Sequence, residues 1–444
     1  MSIASEIQRI KTNIANAYTS ASNKGATLPA TQNSSNLAST IDTIQTGGTP
    51  TTVEWKDVNF IDYDGTLLYS YTLAELQALS SLPTKPSHAG LTCQEWNWTL
   101  ADLKTENKKM IVGATYTTND GTSKINIEIT DIADKDMQLF LAVTTNTKPV
   151  QIDWGDNSAT STVSGVNAST FTHTYSSTGN YTITISSTTG GTLKLTGNSA
   201  TSMFGSGNSN SRRYGSKVKS IFFGDTLGSV GSYSFTWSGV EFLTFPKGIT
   251  IPGSTVFANC RNLKALVFPS GLTNTLNTFT GCYSIKYISI PKSITATPSS
   301  LFSGGCYSLK AITLPNSITG LGTQTIFNNC YTIEEAILPT TITTAPSTLF
   351  YNCYVLKEAT LPSGITSVGQ NTYYGCHNIT KITVPSGVTT LPNNFITSCS
   401  SLDTLTVLGN ITSIGTYFLR YCYALKKVDL THCTAVPSLR SKCF

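Results

Sequence analysis

From about residue 216 onward, the apolar positions recur at a long interval rather than a helical or strand period. Each unit runs aromatic or aliphatic, two residues, Cys, two residues, apolar, two residues, apolar, one residue, apolar, and usually Pro. Phe279, Cys282, Ile285, Ile288, Ile290 and Pro291 form one copy; Phe350, Cys353, Leu356, Ala359, Leu361 and Pro362 form another. The cysteines of the series are Cys260, Cys282, Cys306, Cys330, Cys353, Cys376, Cys399 and Cys422, spaced 22 to 24 residues apart. The last two apolar positions lie two residues apart, which puts them on one side of a short strand. Two earlier units keep the apolar positions without the cysteine: Val218, Ile221 and Phe223, then Val240, Leu243 and Phe245, with Trp237 expected in the cysteine slot. The pattern predicts ten short strands from Ile221 to Leu430, stacked about 4.8 Å apart over roughly 45 Å. No unit can bury its own apolar side, so neighbouring coils must supply the missing surface.

The preceding segments carry other periods. Ile3, Ile7, Ile10, Ile14, Ala17 and Ala21 alternate steps of four and three, the seam of a coiled coil. Isoleucine at both core positions favours three strands or more, so residues 1–47 are expected to be a helical segment that anchors the chain or joins it into a homotrimer. An amphipathic helix packed on its own chain fits the same spacing. Gly47, Gly48 and Pro50 read as a linker. Residues 51–120 are expected to form a small α+β domain. Its strands lie near Val53–Ile61 and Met110–Tyr116, its helices at Thr72–Leu79 and Leu100–Lys109, and Trp96 and Trp98 sit in its core. Between 123 and 198, alternating segments at Lys124–Ile129, Gln138–Val143, Val150–Trp154, Thr170–Tyr175, Tyr181–Ser186 and Thr192–Leu195 predict a β-sandwich. The fold class is therefore multidomain: a short helical segment, a small α+β domain, a β-sandwich and, over residues 216–444, a repeat solenoid.

Cysteine usage favours packing thiols over the alternatives of a disulfide framework or metal ligation, because one thiol recurs per repeat and Cys93, Cys433 and Cys443 leave the total odd. The expectation is a column of reduced thiols packed without polar partners, so that a hydroxyl in the same slot costs stability. There is no CxxC, and His88, His173, His377 and His432 share no ligand-like spacing, so neither metal nor cofactor is expected. No apolar run is long enough to span a membrane. The formal net charge is +5 with only 12% charged residues. Lys264, Lys286, Lys310, Lys357 and Lys426 recur at one repeat position, but Glu334 and Asp403 interrupt them. No aromatic stacking series is expected beside these lysines, which argues against nucleic acid as a partner.

Phe60-Ile61-Asp62-Tyr63-Asp64-Gly65-Thr66-Leu67 resembles the first motif of haloacid-dehalogenase-type phosphatases. That resemblance implies Asp62 as nucleophile and Asp64 as acid or base beside a magnesium ion. The following residues are too few to build the sheet this chemistry needs, and a strand ending in an Asp-Gly turn is the expected structure. Ile152-Asp153-Trp154-Gly155-Asp156-Asn157, His173-Thr174-Tyr175 and Gly179-Asn180-Tyr181 resemble the PKD-type immunoglobulin-like module. This implies that Asp153, Asp156 and Gly155 shape a turn while Trp154 and Tyr175 pack.

The repeats, with their aromatic-x-x-Cys step and Leu-x-x-Ile-x-Leu-Pro finish, resemble the BspA-type leucine-rich repeat family. The opening residues and the segment from Val58 to Lys104 are similar to structural proteins of tailed phages or prophages. These resemblances imply a virion protein of the phage tail or baseplate, assembled in the bacterial cytoplasm and not an enzyme. Its partners would be itself, other tail or baseplate proteins and a host-surface glycan or protein. The alternative is a BspA-like bacterial surface adhesin or protein-binding scaffold, which is expected to need an export signal that the first residues do not resemble.

Two outward columns of the strands form the candidate ligand-binding face: Tyr287, Glu335, Glu358, Lys381 and Lys427 in one, Ser289, Thr313, Thr360, Thr383 and Thr406 in the other. Hydroxyls with a few charges and a tyrosine suit a glycan or a protein surface, and threonine is also an ordinary solvent-facing strand residue. Gly281 and Gly375, and Asn259, Asn329 and Asn352 in the equivalent place, are expected in left-handed turns.

Overall fold

In the computed structural model, the described residues are 53–434 except 198–200, 252–254, 273–278, 298–300, 303–304 and 323–325, together with the strand Ser438–Leu439. The isoleucine seam at Ile3, Ile7, Ile10 and Ile14 lies outside them.

The small α+β unit is a four-stranded sheet. Strand β1 (Val58–Ile61) pairs antiparallel with β2 (Leu67–Tyr71) and parallel with β4 (Met110–Thr118), and β3 (Leu91–Trp96) closes the other edge. Helix α1 (Leu73–Ala78) starts where Thr72 and Glu75 form a reciprocal capping box, and α2 (Leu100–Glu106) is capped by Thr99. Val58, Phe60, Leu76, Trp96, Leu103, Val112 and Tyr116 fill its core. The Asp62–Gly65 segment is the turn between β1 and β2, with Gly65 at φ 87°. Asp62 is buried at its start. Its Oδ1 accepts from Tyr116 Oη at 2.7 Å, and its Oδ2 lies 2.7 Å from His88 Nε2.

Residues 123–195, together with three strands from 218–244, form two β-sheets around a shared core. One runs β14 (Phe242–Thr244), β12 (Val218–Phe222), β5 (Ser123–Ile129), β10 (Gly179–Ser186), β7 (Val150–Asp153) and β8 (Ser161–Val163); the other runs β13 (Leu227–Val230), β11 (Leu193–Leu195), β6 (Asp136–Val143) and β9 (Ser169–Thr174). Asp153 and Asp156 accept from the backbone N–H groups of Gly155 and Ser158. A Cβ on Gly155 would sit 2.3 Å from the Thr182 carbonyl oxygen, so only glycine lets this turn close against β10. His173 stacks on Trp154 and binds Asp156 at 2.8 Å, while Tyr175 Oη donates to the Trp154 carbonyl at 2.9 Å.

These two sheets run directly into the repeats. Strand β12 pairs antiparallel with β5 on one side and parallel with β14 on the other. Successive coils then pair in parallel register: Ala265–Val267 with Tyr287–Ser289, Ala311–Thr313 with Glu335–Ile337, Lys381–Val384 with Thr404–Val407, and the last with Lys427–Asp429. Glu358 continues the ladder as a single bridge to Glu335. A second, shorter strand column runs through Thr344–Ala345, Ser367–Val368, Thr390–Leu391, Ser413–Ile414 and Ser438–Leu439. One hydrophobic core extends from Ile125 to Leu419, so residues 123–198 and the repeats share an interior.

Within that core the aromatic column is continuous. Phe257, Phe279, Phe302, Phe327, Phe350 and Tyr373 stack with ring centroids 5.5 to 5.9 Å apart. The cysteines beside them are free thiols, buried from Cys260 to Cys399 and half-buried at Cys422. They do have polar partners, contrary to the expectation from sequence. Cys282, Cys353, Cys376 and Cys399 each donate to the carbonyl of the aromatic residue one coil earlier, at 3.0 to 3.2 Å. Each of these carbonyls also accepts the backbone N–H of the cysteine in its own coil, at 3.2 to 3.3 Å, so the thiol fills its second lone pair and ties one coil to the next. Burial pushes the Cys330 thiol up to about 12, so it stays protonated and unreactive.

The slot expected for Trp237 belongs to Ser238. The Ser238 N–H bonds the Phe235 carbonyl as Cys260 bonds Phe257, and Ser238 is buried. Trp237 occupies the preceding left-handed position at φ 66°, equivalent to Asn259 at 60°, Gly281 at 75° and Gly375 at 75°. A one-residue shortening before Val240 hides this from sequence alignment on the apolar positions.

The thiol hydrogen bonds separate two substitutions. Cys376→Ala is expected to lower the unfolding free energy by about 1–3 kcal/mol through lost contacts and the lost thiol hydrogen bond to the Phe350 carbonyl. Cys376→Ser is expected to cost about 1 kcal/mol or less, because the hydroxyl still reaches the Phe350 carbonyl. Urea unfolding measures both, and equal losses would remove the hydrogen bond from the account.

Candidate binding face

The side chains proposed as a ligand face do lie along one strand column, but the small α+β unit covers its first half. Apolar contact comes from Ile61 and Ile111 against Val267, with Leu67, Tyr287 and Ala311 around them. Strand β4 approaches so closely that a Cβ on Gly113 would lie 2.4 Å from the Val267 methyl carbons. The Trp55 ring stacks on Tyr287 at 4.6 Å.

Polar groups complete the seam. Ser289 is fully buried: it donates to the Ile111 carbonyl at 2.8 Å and meets Asn97 Nδ2 at 2.9 Å. Trp98 Nε1 donates to the Ile290 carbonyl at 2.9 Å, and Thr313 Oγ1 to the Lys109 carbonyl at 2.9 Å. Lys108 Nζ donates to the Leu314 carbonyl at 2.8 Å and to Asn316 Oδ1 at 2.7 Å. Buried hydrogen bonds of this number fix one docked register, because each would leave an unsatisfied group if the unit slid by a residue.

The covered half ends at an ion cluster. Lys109 Nζ binds Glu335, and reaches Glu358 Oε2 at 3.0 Å. Burial pushes the Glu335 carboxyl above its ordinary value, while the Lys109 hydrogen bond holds Glu358 below its own. The two carboxyls therefore titrate unequally around one ammonium. Tyr287, Ser289, Thr313 and Glu335 are thus engaged by the chain itself, and Glu358 stands at the boundary.

Beyond the boundary the same columns are open. Thr360, Lys381, Thr383 and Lys427 are exposed and Thr406 is half-buried. Thr360, Lys381, Thr383 and Thr406 form no side-chain hydrogen bond among the described residues, whereas Lys427 pairs with Asp429 at 3.2 Å. A groove of about 660 Å³ runs here, lined by Glu358, Thr360, Asn378, Lys381, Thr383 and Ser401. It joins a recess of about 490 Å³ under the edge of the small unit at Lys357 and Glu358. No group of His, Cys, Asp and Glu among the described residues is placed to hold a metal ion. No helix among them is long and apolar enough to cross a membrane.

The lysine column is largely neutralised in place. Lys264 binds Glu241, and Glu334 takes Lys310 at 3.4 Å and Lys357 at 2.7 Å. An aromatic series does accompany these lysines, correcting the expectation from sequence. Tyr283, Tyr307, Tyr331, Tyr354 and His377, each following a cysteine, stack with centroids 4.7 to 5.3 Å apart. Reading the column one residue after the cysteine would have revealed it, whereas the docking of the small unit left no sequence signal.

A family model described as a BspA type leucine-rich repeat region of six copies matches residues 209–330 and 323–444, together just over half of the 444-residue chain. No curated protein matches. Among solved structures, the chain is similar to a leucine-rich repeat protein from Bacteroides ovatus at 20% identity, over 48% of this chain and 69% of that one, with a TM-score of 0.35. It is also similar to the pneumococcal vaccine antigen PcpA at 16% identity, over 51% and 81%, with a TM-score of 0.25. A leucine-rich repeat protein of T. pallidum matches at 17% identity, over 45% and 72%, with a TM-score of 0.27.

Lys109→Met removes the cation between Glu335 and Glu358. The variant is expected to lose about 1–3 kcal/mol at pH 8, where both carboxyls are ionised beside each other. The loss should shrink toward pH 5: the raised folded-state value of Glu335 means that the folded chain takes up its proton first, relieving the repulsion. Urea unfolding across this range measures the trend, and a loss that grows on acidification would overturn it.

Proposed function

We propose that this protein, which belongs to the BspA-type leucine-rich repeat family, is a non-enzymatic attachment protein that binds a host-surface glycan or protein through the open half of its strand face. The observation that carries this reading is the groove beyond the docked small unit. There Thr360, Lys381 and Thr383, with Thr406 on the next coil, present side chains that form no hydrogen bond among the described residues. Hydroxyls and flexible ammonium groups suit a hydroxyl-rich or mixed-charge surface, since each offers hydrogen bonds to a partner without demanding a buried apolar anchor.

A phosphoryl-transfer reading lacks its nucleophile. Both carboxylate oxygens of Asp62 are taken by Tyr116 and His88, and the aspartate sits in a hairpin turn. Families of this repeat type serve as binding scaffolds, which agrees with that geometry.

The setting we favour is a phage tail or baseplate. There the N-terminal segment with Ile3, Ile7, Ile10 and Ile14 joins three copies and docks to other tail proteins, and the protein is assembled in the bacterial cytoplasm before incorporation into the virion. Resemblance of the opening residues to tail-associated proteins supports it. Residues 123–198 serve in this reading as a PKD-like, immunoglobulin-type spacer, supported by the turn from Asp153 to Ser158 and the packing of Trp154 with Tyr175. A second reading, a BspA-like surface adhesin, is favoured by the family itself and uses the same face.

Lys381→Ala with Thr383→Arg is expected to reduce retention of the fluorescent full-length protein on host cells at least tenfold while leaving its unfolding midpoint in place. Unchanged retention would defeat the strand-face assignment. Mass measurement of the full chain and of a chain lacking residues 1–47 tests assembly: a trimer that becomes a monomer is expected, and a monomer in both cases would reject the N-terminal seam.

A further inference from the structure

The aromatic series beside the cysteines does not end at Tyr283. The Arg261 guanidinium lies 5.5 Å from the Tyr283 ring and 5.7 Å from Trp237, and the Arg212 guanidinium covers Trp237 at 3.8 Å. A stack of alternating cation and ring therefore leads into the tyrosine ladder and ends at His377, whose neighbour Asn378 lines the open groove. Around Trp237 lies a second groove of about 300 Å³, bordered by Arg212, Ser216, Asn259, Arg261 and Asn262, with no acidic residue in its lining.

Two features of this surface are unspent. Arg212 and Arg261 are exposed and form no ion pair among the described residues, whereas the adjacent Arg213 is held by Asp134 at 2.5 Å. Stacking on the indole pre-orders the two guanidinium planes, so little freedom is lost when their N–H forks take a carboxylate in bidentate fashion. The hydroxyls of Tyr283, Tyr307, Tyr331 and Tyr354 likewise form no hydrogen bond among the described residues. Because each ring face is covered by the next ring, the ladder offers solvent its edges and a row of phenol hydroxyls.

We infer that this turn edge is a second binding surface, for an acidic oligosaccharide: Arg212 and Arg261 take a sugar carboxylate, and the tyrosine hydroxyls take the hydroxyls of the following sugars. The ladder advances one ring for each coil, a step close to the length of one pyranose, so successive sugars meet equivalent hydroxyls. A polypeptide is a poorer match, since among the described residues this surface offers guanidinium groups and phenol hydroxyls. The site goes beyond the strand-face reading, because its arginines and tyrosines lie outside the open groove.

Calorimetry of the full-length protein tests this with hexagalacturonate as probe, against a neutral hexasaccharide and hexaglutamate. Measurable binding of hexagalacturonate is expected, with the neutral sugar and the acidic peptide each at least tenfold weaker. Arg212→Gln with Arg261→Gln should weaken hexagalacturonate at least tenfold, and Tyr307→Phe with Tyr354→Phe severalfold, with an unchanged circular dichroism spectrum. Lys381→Gln with Lys427→Gln should leave it intact, which separates this surface from the strand face. No binding of hexagalacturonate, equal binding of hexaglutamate, or loss only in the Lys381 and Lys427 variant would overturn the assignment.

Discussion

Everything in the repeat half depends on one coincidence of lengths. Parallel coils joined by backbone hydrogen bonds advance by about 4.8 Å, and aromatic rings stack at 4.5–7 Å between centroids. Each side chain therefore meets its own counterpart from the next coil, and a position is usable only by a residue that tolerates itself as a neighbour. Phenylalanine does so in the core, cysteine beside it, tyrosine at the turn edge, and asparagine in the left-handed turn, where Asn352 Nδ2 donates to Asn329 Oδ1 at 3.1 Å. Lysine repeats through Lys264, Lys286 and Lys310, and Glu241 and Glu334 stand at the two ends of that run and pair with its outer members.

The same rule makes the ends of the stack its weak points, because a terminal coil has no counterpart on one side. At the start, β5 of the preceding sheets pairs with the first repeat strand, and the two regions share an interior. The junction is thus a continued sheet rather than a linker. At the other end burial fades: Cys422 is half-buried, and Val428 and Leu430 are exposed at 39% and 36%.

Docking of the small unit gives the strand face two characters. Its covered half is occupied by Ile111, Asn97 and Trp98, which meet the column with a backbone carbonyl, a side-chain amide and an indole N–H. Its open half keeps the same kinds of donors and acceptors without a partner. The Lys109 cluster marks where the covered half stops.

The repeats were legible in the sequence because periodicity reports burial directly. Cys282, Ile285, Ile288 and Ile290 recur in kind, and stacking leaves them one possible side. The Asp62–Gly65 turn and the left-handed Asn259, Gly281 and Gly375 were legible for a local reason, since backbone conformation is set by the residue and its neighbours. Ser238 was missed because a one-residue offset leaves the apolar spacing intact while moving the slot. The thiol hydrogen bonds, the burial of Ser289 and the engagement of Glu335 by Lys109 could be decided only by the folded molecule. They join residues far apart in the chain, and nothing local in either partner encodes that meeting.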